Sequence, residues 1–214
     1  SDLHQGYEES LQRQGVLAPK FQFRDTLARI KRLFARFPAK TLVINGDLKH
    51  SFGTIQESEW REIRAFIDSA LKHAERIVIV TGNHDITLGP ILEKERIEAQ
   101  RSYEHAGYLF AHGDEDIGVG KRHTIIGHDH PAITLSDGIR NERYKCYIST
   151  AGLIVQPSFH FITIGSDILT RQMTSPYLAE TDSGDWHIHI VSDSGETMDF
   201  GTLKNNRSDA TNLL

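Results

Sequence analysis

Apolar residues recur at three- and four-residue steps between Arg24 and Phe37, at Leu27, Ile30, Leu33, Phe34 and Phe37. That spacing draws one apolar stripe down a helix, and Pro38 closes it because proline cannot continue the ladder. Residues 41–45, Thr-Leu-Val-Ile-Asn, are short, apolar and β-rich, which predicts a buried strand broken by Gly46. Trp60, Ile63, Phe66, Ile67, Ala70 and Leu71 mark a second helix. Residues 77–81 form a second buried strand that stops at Gly82, and a shorter helix is expected from Ile91 to about Gln100.

The texture then changes. Short apolar or alternating runs at 108–111, 123–126, 144–148, 153–156, 187–191 and 198–200 read as strands separated by turns. Helices alternate with strands first and strands dominate afterwards, which predicts a single mixed α/β layered domain over 1–214. The polar stretch 204–214 is expected to fray. One feature of the start stands out: Ser1-Asp2-Leu3-His4 carries ligand-type residues with no strand before it. Either an upstream strand lies outside these residues or the terminus itself is held down.

Composition narrows the classes. The 214 residues include one cysteine, Cys146, so no disulfide forms within the chain and a cytoplasmic setting is expected. No apolar run is long enough to span a bilayer, so no membrane partner is expected. A net charge of −5 argues against coating nucleic acid through a basic surface, although bound metals can supply positive charge locally. The 12 histidines matter through their placement.

Four strings concentrate the chemistry: Asp2-Leu-His4, Gly46-Asp47, Gly82-Asn83-His84-Asp85 and Gly127-His128-Asp129-His130, with Ala111-His112-Gly113 as a weaker fifth. All but the first follow a predicted strand, where α/β proteins build sites. Asp2, His4, Asp47, Asn83, His112, His128 and His130 together offer carboxylate, amide and imidazole donors. That mix suits Mn²⁺, Fe²⁺ or Zn²⁺ rather than thiolate chemistry. It exceeds one zinc tetrahedron and matches two ions sharing a carboxylate and a water. Two ions about 3.5–4 Å apart clamp the attacking and leaving oxygens of an in-line displacement and generate hydroxide near neutral pH.

In order, these strings resemble the calcineurin-like metallophosphoesterase family, whose pattern runs D-x-H, G-D, G-N-H-[DE], H and G-H-x-H. Every element is matched between Asp2 and His130. The likeness is strongest to archaeal and bacterial phosphoesterases described as SbcD-related. It rests on Asp2-Leu-His4-Gln-Gly6-Tyr-Glu-Glu9, Gly46-Asp-Leu-Lys-His50, Gly127-His-Asp-His-Pro131 and Pro157-Ser-Phe159.

The resemblance implies two mixed β-sheets in a sandwich flanked by α-helices. It implies that Asp2, His4 and His130 hold one metal, Asn83, His112 and His128 the other, and that Asp47 bridges them. His84 would face the substrate, with Asp85 orienting it by a hydrogen bond. His50, where many relatives carry a carboxylate or Asn, is a candidate substrate contact. Manganese is the expected metal, with iron, zinc or nickel as alternatives. The implied activity is hydrolysis of phosphodiesters, nucleic acid or nucleotide, by a metal-bridging hydroxide. The alternatives are a phosphomonoesterase on a small metabolite or phosphoprotein, and a non-catalytic metal-binding scaffold, which an intact His84 and Asp85 argue against.

The remaining histidines read as ordinary residues. His160, His187 and His189 are expected in strands, the last two on the face opposite Ile188 and Ile190. His73 and His105 are expected at the surface. Lys49, Lys121, Arg122 and Arg140 are candidates to line a substrate path, with solvated loop charge the leading expectation for each, and Trp60 is expected as core.

Overall fold

The computed structural model describes residues 1–205 except 54, 119–122, 138, 171–172, 180 and 193. Lys121, Arg122 and nearly all of the expected tail fall outside the described residues. The chain forms two compact units, residues 1–103 with 159–162, and 104–158 with 163–214. Its class is mixed α/β with two sheets and accompanying helices. No described helix is long and apolar enough to cross a membrane.

The first unit contains helices α1 (Tyr7–Arg13), α2 (Gln22–Arg36), α3 (Glu57–Ala70) and α4 (Gly89–Glu95) with strands β1 (Thr41–Asn45), β2 (Arg76–Val80) and β3 (Ala99–Gln100). The strands pair in the order β1-β2-β3, all parallel, with Val43 opposite Val78 and Ile79 opposite Ala99. Parallel strands must be covered on both faces, which is why β1 and β2 read as nearly continuous apolar runs. Ile63, Phe66, Ile67 and Ala70 of α3 are buried with Ile44, Ile77 and Ile79. Each such large side chain contributes about 1.5–3 kcal/mol. Trp60 packs against this core as expected.

The helix expected from Ile91 to Gln100 stops earlier. Arg96 turns left-handed at φ 56°, the amide of Ile97 donates to Leu92 and that of Arg96 to Glu93. This is a Schellman closure with Ile97 and Leu92 both on the core, and it frees Ala99–Gln100 to extend the sheet. Helix α1 carries no apolar stripe and escaped the periodicity reading. Its Glu8 accepts the amides of Phe21 and Gln22 and so caps α2.

The second unit is built on strands β4 (Ser102–His105), which carries the chain into it, β5 (Tyr108–Ala111), β6 (His123–Ile126), β7 (Pro131–Ser136), β8 (Asn141–Ser149), β9 (Leu153–Val155), β10 (Ser166–Asp167), β11 (His187–Val191) and β12 (Thr197–Thr202). The order is β10-β7-β8-β9-β6-β5-β4, with β11 on β8 and β12 on β11. Strands β5, β6 and β9 run parallel, while β7, β8, β11 and β12 meet antiparallel neighbours, so this sheet is mixed. Ile126, Ile133, Cys146, Ile148, Val155 and Ile188 fill its core, and burial pushes the Cys146 thiol up. Strand β7 was hidden in the sequence by Pro131, which is tolerated as a strand's first residue.

Candidate metal centre

Every donor string that follows a predicted strand leaves the C-terminal end of an observed one: 46–47 after β1, 82–85 after β2, 111–113 at β5 and 127–130 after β6. The opening string is tied down by backbone hydrogen bonds. The amides of Asp2, His4 and Gln5 donate to the carbonyls of Gly46, Asp47 and Leu48 at 3.0, 2.8 and 2.9 Å, and Gln5 bridges to Lys49 in parallel. The Ser1 carbonyl accepts from Phe159. Gln22 of α2 then secures the loop from beneath, its amide group donating to the carbonyls of Leu3 and His4 at 2.9 and 2.7 Å.

In the first unit this strapping brings Asp2, His4 and Asp47 together. Their donor atoms lie within 4.8 Å of one another and all three side chains are buried. His4 Nε2 is 3.6 Å from Asp47 Oδ2. Two buried carboxylates side by side repel unless a cation joins them, and with an imidazole they form a donor set suited to a divalent ion. The fit is therefore favourable. Asp47 also organises its neighbour, since Oδ1 accepts the His84 amide at 3.0 Å. Asn83 is half-buried in that same loop.

His84, His50 and His4 form a cluster with ring centroids 4.7–5.5 Å apart. The Nδ1 atom of His84 bonds the carbonyl of His50, and its Nε2 lies 3.9 Å from Asp47 Oδ2. Asp85 was expected to orient the His84 ring, but the His50 carbonyl takes that role at Nδ1. The buried Asp85 carboxylate instead accepts the amides of Gly82 at 3.0 Å and Lys49 at 3.2 Å, joining the loops after β1 and β2. Burial, then the neighbouring His84, lowers the His50 imidazole to about 4, so it is neutral at neutral pH.

Two expectations need correction here. Lys49 is not a solvated charge: it is fully buried, and that burial lowers its pKa. Nor does His160 sit in a strand. It is buried in a bend, its ring 5.4 Å from that of His4 and 5.7 Å from that of Tyr7. Its place directly after Pro157-Ser-Phe159 was the available signal. Arg140, His73 and His105 are exposed as expected.

In the second unit, His112 Nε2 and His128 Nδ1 face each other at 3.3 Å, and Thr174 Oγ1 lies 3.2 Å from His128 Nε2. Asp129, between the two expected ligands, points inward. Its carboxylate accepts the Thr174 amide and hydroxyl and the Ser175 amide, while the Ser175 hydroxyl donates to Gly113. One short segment thus straps both donor loops. The His130 carbonyl accepts from Ser166, and a Cβ on Gly165 would meet that same oxygen at 2.0 Å. Sequence reading missed Thr174, Ser175 and Gly165, which lie far from any motif.

Backbone strain marks the same residues. Among the described residues, the non-glycine positions with positive φ are Asp2 (54°), His4 (46°), Asp47 (50°), His128 (66°), His130 (46°), Arg96 and Ala106. The first five are expected ligands. Left-handed backbone at a non-glycine residue costs on the order of 1–3 kcal/mol and persists where the surroundings over-determine it, typically at functional sites.

The family model described as calcineurin-like phosphoesterase matches residues 1–191. No curated protein matches the chain. Among solved structures, the crystal structure of Pseudomonas putida nuclease MPE superposes with a TM-score of 0.63 at 20% identity, covering 83% of this chain and 78% of that one, a likeness of fold.

Proposed function

This chain belongs to the calcineurin-like phosphoesterase family, and from that membership we propose that it hydrolyses phosphodiesters, with nucleic acid or nucleotides as the substrate class. The reading extends the likeness to SbcD-related phosphoesterases. What supports it most is the buried convergence of Asp2, His4 and Asp47 on strained backbone at the end of a parallel sheet. Asp2, His4, Asp47, Asn83, His112, His128 and His130 would hold two divalent ions, with Asp47 the shared carboxylate and manganese the preferred metal. Bound divalent ions supply Lewis-acid charge for the phosphoryl oxygens and activate water.

The side chains do the rest. His84, held at Nδ1 by the His50 carbonyl, directs Nε2 to the substrate, where it protonates the leaving oxygen or stabilises charge on the phosphoryl group. Asp85 is a positioning residue that fixes the His84 loop to the Lys49 backbone. His50, neutral and beside His84, contacts the second ester group of a diester, the feature a monoester lacks.

The test compares bis-p-nitrophenyl phosphate, p-nitrophenyl phosphate and single-stranded DNA on metal-stripped protein before and after Mn²⁺ is restored. Metal-dependent cleavage of the diesters ahead of the monoester is the expected result. Preference for the monoester would replace this reading with a phosphomonoesterase. No release from any of them, with metal bound, would leave the scaffold.

A further inference from the structure

On strand β11, Ile188 and Ile190 are both buried, which fixes the strand's register and turns His187 and His189 out together on the opposite face. Their ring centroids are 4.8 Å apart. Strand β12 runs antiparallel with Asp199 directly opposite His189, and the register shifts between Ile188 and His189. A bulge of this kind re-aims side chains. Here it brings Asp199 Oδ1 to 2.6 Å from His187 Nε2 while leaving it beside His189. The donor atoms of all three side chains lie within 4.8 Å of one another.

We propose that His187, His189 and Asp199 form an additional metal site on this hairpin that takes a borderline divalent cation, Zn²⁺ or Cu²⁺. Two imidazoles and one carboxylate are the ligand set such ions prefer, and three protein ligands leave a position for water. The carboxylate is already oriented, since the Gly201 amide donates to the same Oδ1 at 2.8 Å. An outer partner of this sort fixes a ligand's direction.

A plain cross-strand ion pair would need only His187 and Asp199. It would not account for His189, whose ring lies in the same small volume as those two side chains. The side chains of His187 and Asp199 are 37% and 65% exposed, so an ion reaches them from solvent. Binding replaces the His187–Asp199 hydrogen bond, and the displaced proton passes to Nδ1 of the same ring or to solvent. None of the three residues belongs to the phosphoesterase ligand set, so the proposal stands independently of that reading.

The experiment is zinc stoichiometry by elemental analysis and calorimetric titration on the full chain, beside His189→Gln and Asp199→Asn. The wild type should retain one equivalent more than either variant, with affinity for that equivalent lowered at least about tenfold in each. Equal zinc content in correctly folded variants would overturn the proposal. Should a variant misfold, the wild type alone decides. Zn²⁺ should protect His187 and His189 from diethyl pyrocarbonate, mapped by mass spectrometry, and unchanged modification of both would overturn it.

Discussion

In the first unit long side chains arriving from helices reinforce donor loops already tied by backbone bonds and by Asp85, whereas in the second the loops are held by backbone and by a carboxylate of their own. Gln22 reaches from α2 to the carbonyls of Leu3 and His4. Glu59 reaches from α3 to the amides of Ser51 and Gln56 and packs against Gly6. The loop at 127–130 has no such helices near it in sequence. Asp129 takes the amides of Thr174 and Ser175, and Gly165 lies against the carbonyl of His130. A flexible side chain can give way to an intruding atom, and a hydrogen-bonded backbone carbonyl cannot. The first unit should therefore absorb a local insult that the second transmits directly to His130.

The largest effect expected is at Asp47, where charge rather than packing is removed. Asp47→Asn keeps the size of the side chain but loses the anion that the proposed centre would share. Metal-supported diester hydrolysis should fall by on the order of 10³ or more, at least the loss from one dominant electrostatic contact. Bound metal should fall with it. Elemental analysis showing both ions still present would remove Asp47 from its bridging role. His84→Asn should separate chemistry from binding within the same unit, keeping the metal and lowering turnover by about 10². Unchanged turnover would take His84 out of the mechanism.

The paired glycines break the comparison most directly. Alanine at Gly165 would put its Cβ 2.0 Å from the His130 carbonyl oxygen at φ 115°. Alanine at Gly6 would meet Glu59 Cγ at 2.3 Å at φ 87°. Overpacking of about 1–3 kcal/mol adds to a backbone cost of similar size. Gly165→Ala should therefore lose roughly 3–5 kcal/mol. Gly6→Ala should lose roughly 2–4 kcal/mol, because the buried Glu59 can shift where a backbone carbonyl cannot, but only by straining its bonds to the Ser51 and Gln56 amides. Denaturant midpoints measure both. Equal losses would mean that the first unit is as rigidly clamped as the second.

The same difference governs how much the sequence disclosed. Strands β1 and β2 and helices α2 and α3 were legible because a two-faced parallel layer forces continuous apolar runs and single helical stripes. The motif residues were legible because glycine turns at strand ends advertise their chemistry. What stayed hidden is what touches those motifs from afar. Gln22 and Glu59 look like solvated helix residues until their loops are in view. Thr174 and Ser175 have no local pattern at all. Lys49 misled for the same reason, since a loop lysine reads as solvated unless the layer above it is known. No periodicity encodes contacts between separate segments of the chain.

Strain supplies the last and smallest comparison, and one of opposite sign. Ala106 and Gly107 join β4 to β5 with φ of 51° and 84°, the doubly left-handed backbone of a type I′ hairpin turn. Asn-Gly is the preferred pair there, because an asparagine side chain tolerates the left-handed region that costs alanine about 1–2 kcal/mol. Ala106 is exposed and lies outside the donor loops. Ala106→Asn should therefore raise stability by about 0.5–1 kcal/mol, leaving metal content and hydrolysis unchanged. At His128, equally left-handed at φ 66°, the same replacement should relieve strain but forfeit an imidazole. A gain in denaturant midpoint at Ala106 without loss of metal, beside loss of metal at His128, would show that the left-handed backbone at the ligands is kept for the ions. A lowered midpoint for Ala106→Asn would mean that the hairpin's backbone is not the source of its cost.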